Sequence, residues 1–208
     1  MLQHFLSAFV TLFVVIDPPG CAPIFAGLTS GAGDAQRRAM ALKSTLIAAL
    51  ILLLFALLGE PLLKMLGISL DAFRIAGGVM LALIALEMVF ERRTERRAER
   101  VHKVRERPEP IQDVSVFPMA MPMIAGPGSI ASAMLLMGKS HGTIEHAIVL
   151  AALLAVLALM LVALFAAGAL MRLVGESVEG VITRLLGVLL AALAAQFILD
   201  GLKGAFGL

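Results

Sequence analysis

The chain has 208 residues, of which 60% are hydrophobic and 15% charged, with a formal net charge of +2 and a mean hydropathy of +0.98. A soluble domain is about half apolar and about a quarter charged, so this composition excludes an ordinary water-soluble fold and points to a membrane protein. A single cysteine, Cys21, leaves no internal disulfide, and in a chain of this kind the placement of charge says more than its sum.

Six apolar runs are predicted as membrane spans, each near the ~20 residues that cross a ~30 Å hydrocarbon core. The first, Phe5–Leu28, is interrupted at its centre by Asp17-Pro18-Pro19-Gly20, with Pro23 shortly after. Paired prolines remove two backbone donors and disfavour helical geometry in the residues before them. An aspartate at that depth costs about 2.5–3.5 kcal/mol on insertion scales. Broken backbone at membrane depth is tolerated only inside protein or along a wet cavity, so the interruption marks a polar site. Met1-Leu2-Gln3-His4 carries no Lys or Arg, which argues against a secretory signal and makes Phe5 onward the first span of the mature protein.

The second span, Ala41–Leu58, is expected to stop at Gly59-Glu60-Pro61, with Leu62–Leu66 as a separate apolar turn at the interface. The third covers Ala72–Phe90. A charged connector, residues 91–113, then alternates Arg and Glu in a pattern that predicts a helical extension, with Arg92–Glu95, Arg96–Glu99 and Glu99–Lys103 on neighbouring turns, ended by Pro108 and Pro110. The interleaved glutamates disfavour a nucleic-acid or polybasic lipid role and suit a solvated connector. The remaining spans are Val114–Met137, Ala147–Leu170 and Val181–Leu199. With six spans, 13 of the 17 Lys and Arg fall in loops one, three and five. That bias places those loops in the cytoplasm and both termini outside it.

An internal repeat relates the two ends of the chain. Pro19-Gly20 and Pro127-Gly128 are offset by 108 residues; Gly59 and Gly168, Gly78 and Gly187, Ala82 and Ala191, Ala85 and Ala194, and Glu87 and Gln196 are offset by 109. Residues 1–90 and 114–208 therefore read as two three-span repeats, and an odd number of spans requires the second to be inverted. Inverted repeats with matching broken helices are a pointer to a secondary transporter whose site lies between them. Small residues such as Gly78, Ala82 and Ala85 also serve close helix packing, which explains part of the repeat without a ligand.

The chain resembles the MarC-type membrane proteins, also called the six-span neutral amino acid transporter family. The likeness rests on Ile16-Asp17-Pro18-Pro19-Gly20 with Pro23-Ile24-Phe25, on Phe73-Arg74-Ile75-Ala76-Gly77-Gly78, and above all on Pro118-Met-Ala-Met-Pro122-Met-Ile-Ala-Gly126-Pro127-Gly128-Ser129-Ile130. The resemblance implies a bacterial inner-membrane location and ion-coupled transport of small neutral amino acids such as glycine and alanine.

The residues suggest the same chemistry. A small zwitterion needs an anion site and a cation site. Backbone N–H groups where each helix resumes, at Gly20-Cys21 and Gly128-Ser129, suit a carboxylate, and glycine permits close approach. Asp17 can meet an ammonium, carry a coupling proton, or merely cap the second half-helix. Carbonyls released by the prolines at 18, 19, 122 and 127 can coordinate Na⁺. The candidate substrate site is thus Asp17, Pro19, Gly20, Cys21, Gly126, Pro127, Gly128 and Ser129. Thr11, Glu87 and Gln196 stand behind them, each with a plain reading as a backbone or interhelical hydrogen-bond partner; Cys21 also reads as a packing residue.

Enzymatic alternatives are disfavoured. An intramembrane aspartyl protease needs two membrane aspartates, and only Asp17 lies at that depth. Ser129 has no membrane histidine as base, since His4, His102, His141 and His146 all fall in loops or ends, and no metal-ligand cluster is legible. The expectation is an all-α, polytopic protein with no cofactor, using H⁺ or Na⁺ as coupling ion and able to form a homo-oligomer in the bilayer. Export or channelling of another small solute, and a non-catalytic membrane role, are the alternatives.

Overall fold

A computed structural model describes residues 1–90 and 113–207; the side chains of 169–179 and 182 are outside the description. The charged connector and its expected ion pairs thus lie outside the described residues, apart from Asp113.

The described residues are helical throughout their long elements. They comprise α1 (Leu2–Ile16), α2 (Pro18–Leu28), α3 (Asp34–Met65), α4 (Leu70–Val89), α5 (Ser115–Ile124), α6 (Pro127–Lys139), α7 (Thr143–Phe165) and α8 (Ala167–Phe206). Among the described residues, five spans are long and apolar enough to cross a membrane, with α1 and α2 counted as one, and α5–α6 makes a sixth if its 52° bend lies within one span. The protein is an integral, multi-pass membrane protein.

Several boundaries differ from expectation. The second span does not stop at Pro61 but runs to Met65. Pro61 forfeits one hydrogen bond, to the carbonyl of residue 57, and membrane helices tolerate that loss. Glu60 and Lys64 pair across the following turn at 2.8 Å, so Leu62–Met65 is the last turn of this helix and not a separate segment. The fifth span ends at Phe165, and the chain resumes after Ala166 as one 40-residue helix, where the sequence reading places a loop before Val181. That helix exceeds a bilayer: 40 residues at 1.5 Å rise is about 60 Å.

Span four is the most irregular. Phe117 and Met121 have extended backbone (φ −128°, ψ 127° and φ −132°, ψ 124°), as expected for residues preceding a proline. The segment is held by wide i→i+5 bonds, Met119 N–H to the Val114 carbonyl at 3.2 Å and Ala125 N–H to the Ala120 carbonyl at 2.9 Å.

The principal helix contacts run between the two halves of the chain. α4 lies along α8, α1 and α2 against α7, and α3 against α5 and α6, while α4 touches α6 and α8 touches α1 and α2. α4 and α8 are antiparallel. A Cβ on Gly78 would meet the Ala194 carbonyl at 2.9 Å, and one on Gly187 would meet the Ala85 carbonyl at 3.2 Å, so both glycines permit backbone-to-backbone approach. Of the five spans other than α5–α6, α1–α2 is the most enclosed, with Leu12, Ile16, Cys21, Ala22 and Phe25 fully buried. Leu46, Leu50, Leu54 and Leu57 form an exposed stripe along α3, which in a multi-pass protein is a lipid-facing surface.

Ion pairs gather at the two ends of the bundle. His4 lies 3.7 Å from Glu145, and Lys139 pairs with Asp200, at the end that carries both termini. Lys43 and Asp113 pair at 2.5 Å at the other.

Candidate functional site

The first helix break is a single residue wide. Asp17 takes the left-handed conformation (φ 57°, ψ 63°), which aspartate and asparagine accept more readily than other side chains. Its N–H still donates to the Phe13 carbonyl (2.9 Å) and its carbonyl still accepts from Cys21 N–H (3.0 Å), so α1 and α2 remain one span. The helix resumes at Pro18, two residues before the expected Gly20, because a proline at the first helical position has no donor to lose and its φ is already set.

The bonds around the break follow from the sequence. Pro18 and Pro19 have no N–H to give the carbonyls of Val14 and Val15. Gly20 N–H, which would serve the Ile16 carbonyl, donates instead to Asp17 Oδ1 at 3.1 Å. The Ile16 carbonyl then accepts from the Cys21 thiol at 3.6 Å. Asp17 is fully buried, and its capping of α2 is therefore an observed role, one that offsets about 0.5–2 kcal/mol of its cost in the membrane.

The second break lies at Ala125-Gly126, just ahead of the expected Gly126–Ser129. Gly126 (φ −77°, ψ 169°) is the N-cap of α6 and Pro127 its first residue. A Cβ on Gly126 would run into the carbonyl oxygen of Pro122. Ile130 N–H donates to the Gly126 carbonyl at 3.0 Å, leaving Gly128 and Ser129 as N-terminal donors of the helix, and no side chain caps them.

The two breaks meet. A Cβ on Gly128 would lie 3.5 Å from Val15 Cγ1, 3.3 Å from Leu81 Cδ2 and 2.6 Å from Ile84 Cδ1. The start of α6 therefore rests against the last turn of α1, two residues from Asp17. Asp17, Gly20, Cys21, Gly126, Gly128 and Ser129 are buried, Pro19 is half-buried and Pro127 is exposed. The start of α6, with its uncapped N–H groups, thus lies within a turn of a buried carboxylate and proline-released carbonyls at the end of α1.

The other candidates are not gathered there. Thr11 is buried in α1, about 9 Å of helix from Asp17. Glu87 is half-buried on α4. Its repeat partner Gln196 is exposed on α8 and donates to Asp200 Oδ1 at 2.6 Å. Gly187, which faces Met88 and Ala85 of α4, is nine residues of helix, about 13 Å, from Gln196. The two therefore occupy opposite ends of the α4–α8 pair.

Motif reasoning misses Ser132. It is fully buried on α6, one turn beyond Gly128, and its Oγ has no hydrogen-bond partner among the described residues. The signal is its spacing of three from Ser129 in an otherwise apolar helix. Among the described residues, no group of three or more His, Cys, Asp or Glu is placed to hold a metal ion.

Comparison with known proteins agrees with an integral membrane protein. The chain is 38% identical over 204 residues to a UPF0056 membrane protein of Methanocaldococcus jannaschii, covering 98% of each chain. It is 35% identical to one of Escherichia coli (97% of this chain, 93% of that one) and 34% identical to one of Bacillus subtilis (99% and 97%). No solved structure matches it. Residues 2–206 match the family described as MarC family integral membrane protein, and the chain belongs to that family.

Proposed function

We propose that the protein is a secondary transporter of small neutral amino acids, of the glycine and alanine type, coupled to H⁺ or Na⁺ and working across a bacterial inner membrane with both termini outside the cytoplasm. One observation carries this: α6, two residues after its break, packs Gly128 against Val15, two residues before the break at Asp17, in a buried interior. The N–H groups of Gly128 and Ser129 suit a substrate carboxylate. Asp17, or a carbonyl released by Pro18 and Pro19, suits the ammonium or the coupling ion. The close ring of Val15, Leu81 and Ile84 around Gly128 favours a substrate with a small side chain. Enclosure of these residues fits a closed state, from which transport requires opening to one face at a time.

Packing supports the inverted-repeat reading. Exchanging α1–α2 with α5–α6, α3 with α7 and α4 with α8 leaves the scheme of contacts between the halves unchanged. The reciprocal contacts of Gly78 with Ala194 and of Gly187 with Ala85 follow the same exchange.

Purified protein in liposomes tests the proposal, with proton and sodium gradients imposed separately and labelled glycine, alanine and one large amino acid supplied. Uptake of the small substrates that collapses with one gradient is expected. Downhill flux indifferent to both gradients would indicate a channel, and no flux of any substrate would overturn the proposal.

A further inference from the structure

We propose that the face of the bundle carrying both termini is closed by an ion-pair latch, Lys139 on α6 with Asp200 on α8, and that its release lets α6 swing away and wets the interior. α6 begins at a 52° bend after α5, so its first end is held by no continuous helix. Its other end is held by charge. Lys139 Nζ pairs with Asp200 Oδ2 and sits 4.8 Å from the centre of the Phe197 ring. Gln196 Nε2 donates to Asp200 Oδ1 at 2.6 Å, so both carboxylate oxygens are engaged. Beside them Arg74 binds Asp71 at 2.7 Å on α4. A Cβ on Gly201 would meet the Asp71 carbonyl at 2.8 Å, so α4 and α8 close tightly at this end.

Burial makes this pair firmer than the one at the opposite face. The side chains of Lys139 and Asp200 are 34% and 25% exposed, against 53% and 50% for Lys43 and Asp113 at the opposite face. An ion pair gains strength as it leaves water, provided its hydrogen bonds are made.

Ser132 supplies an independent observation. It lies on α6 seven residues from Lys139, about 10 Å towards the centre, fully buried with an unpartnered hydroxyl. A buried hydroxyl without a partner disfavours the closed arrangement, and hydration on opening relieves it. The latch and the unpartnered hydroxyl thus act in opposite directions on the same helix, as a gate needs. The purpose of the gate rests on the transport proposal; the latch does not, and it is tested without substrate.

The test uses full-length protein in lipid nanodiscs, where both faces meet the reagent, with Cys21→Ala and a reporter thiol at Ser132→Cys. The rate of maleimide labelling is measured with the latch intact, and again with Lys139→Gln or Asp200→Asn. Each latch variant is expected to raise the labelling rate about tenfold, the scale of one charge-assisted hydrogen bond. A second reporter, Ala152→Cys, in the core of α7 where Ala152 is fully buried, is expected to stay protected. An unchanged rate at the first reporter, or an equal rise at both, overturns the latch. A selective rise in labelling, together with no amino acid uptake by the wild-type protein under either gradient, leaves the latch standing and removes the transport proposal.

Discussion

The two glycines of the second break differ in what surrounds them, and alanine separates their roles. At Gly126 the backbone is ordinary extended chain (φ −77°), so alanine is not barred by its dihedrals. The obstacle is the Pro122 carbonyl oxygen, a backbone atom in a segment held by the Ala125–Ala120 bond. At Gly128 the nearest atom is the terminal methyl of Ile84, 2.6 Å from the added Cβ, and a rotation about χ2 moves it aside. Overpacking costs about 1–3 kcal/mol, so Gly128→Ala falls near the lower bound and Gly126→Ala at or above the upper one. In a chain of this size about 1 kcal/mol moves Tm by about 2–4 °C, giving drops of about 2–4 °C and about 6–12 °C. The chain has no Trp or Tyr, but its one cysteine is fully buried, so a thiol-reactive dye reports unfolding directly. Equal shifts for the two variants, or a more stable Gly126→Ala protein, would refute the packing assigned to the break.

Gly78→Ala brings a Cβ against the Ala194 carbonyl oxygen (2.9 Å) and the Ile198 nitrogen (3.1 Å), backbone atoms that yield only if α4 and α8 separate. It is expected to lower Tm by several degrees, about 2–3 kcal/mol, while Gly31→Ala, with nothing within 4 Å, leaves Tm within about 2 °C in the same dye assay. The Asp113 carboxyl is held down to about 2 by hydrogen bonds from Lys43 and Ser115. A lowered folded pKa means that its contribution is present above the ordinary carboxylate value near 3.8 and fades as pH falls towards 2. Asp113→Asn is therefore expected to cost the same at pH 5 and pH 8, and less than about 1 kcal/mol because the pair is half exposed. A cost that doubles between those two pH values in thermal melts would show another group titrating.

Much of the fold was legible because membrane spans are written in composition. The interruption at Asp17 was legible because two prolines and a glycine leave the helix little choice there. What the sequence left open lies in compensations between residues. Pro61 reads as a stop, yet it sits near a helix end where one lost hydrogen bond is tolerated and Glu60 grips Lys64. Phe117 and Met121 read as helix in an apolar run, but the proline after each forces extended backbone, so span four is irregular well before Gly126. Glu87 and Gln196 match in the repeat, yet an antiparallel α4–α8 pair sends matched positions to opposite ends. Lys139 and Asp200 are 61 residues apart, a pairing that local pattern cannot reveal. Ser132 escapes notice because a serine in a membrane helix ordinarily bonds its own backbone, and in the fold its hydroxyl does not.

Asp17→Asn tests the central proposal most directly. Asparagine accepts the same left-handed conformation and still offers an oxygen to Gly20 N–H, so the break and its cap survive while the charge is removed. Gradient-driven uptake of labelled alanine is measured in liposomes carrying the wild-type protein or the Asp17→Asn variant at equal content and equal Tm. If the buried carboxylate meets the substrate ammonium or the coupling ion, uptake falls to the level of protein-free liposomes. Wild-type uptake by the asparagine variant would leave Asp17 with a structural role, which includes its capping of α2, and contradict the proposed site.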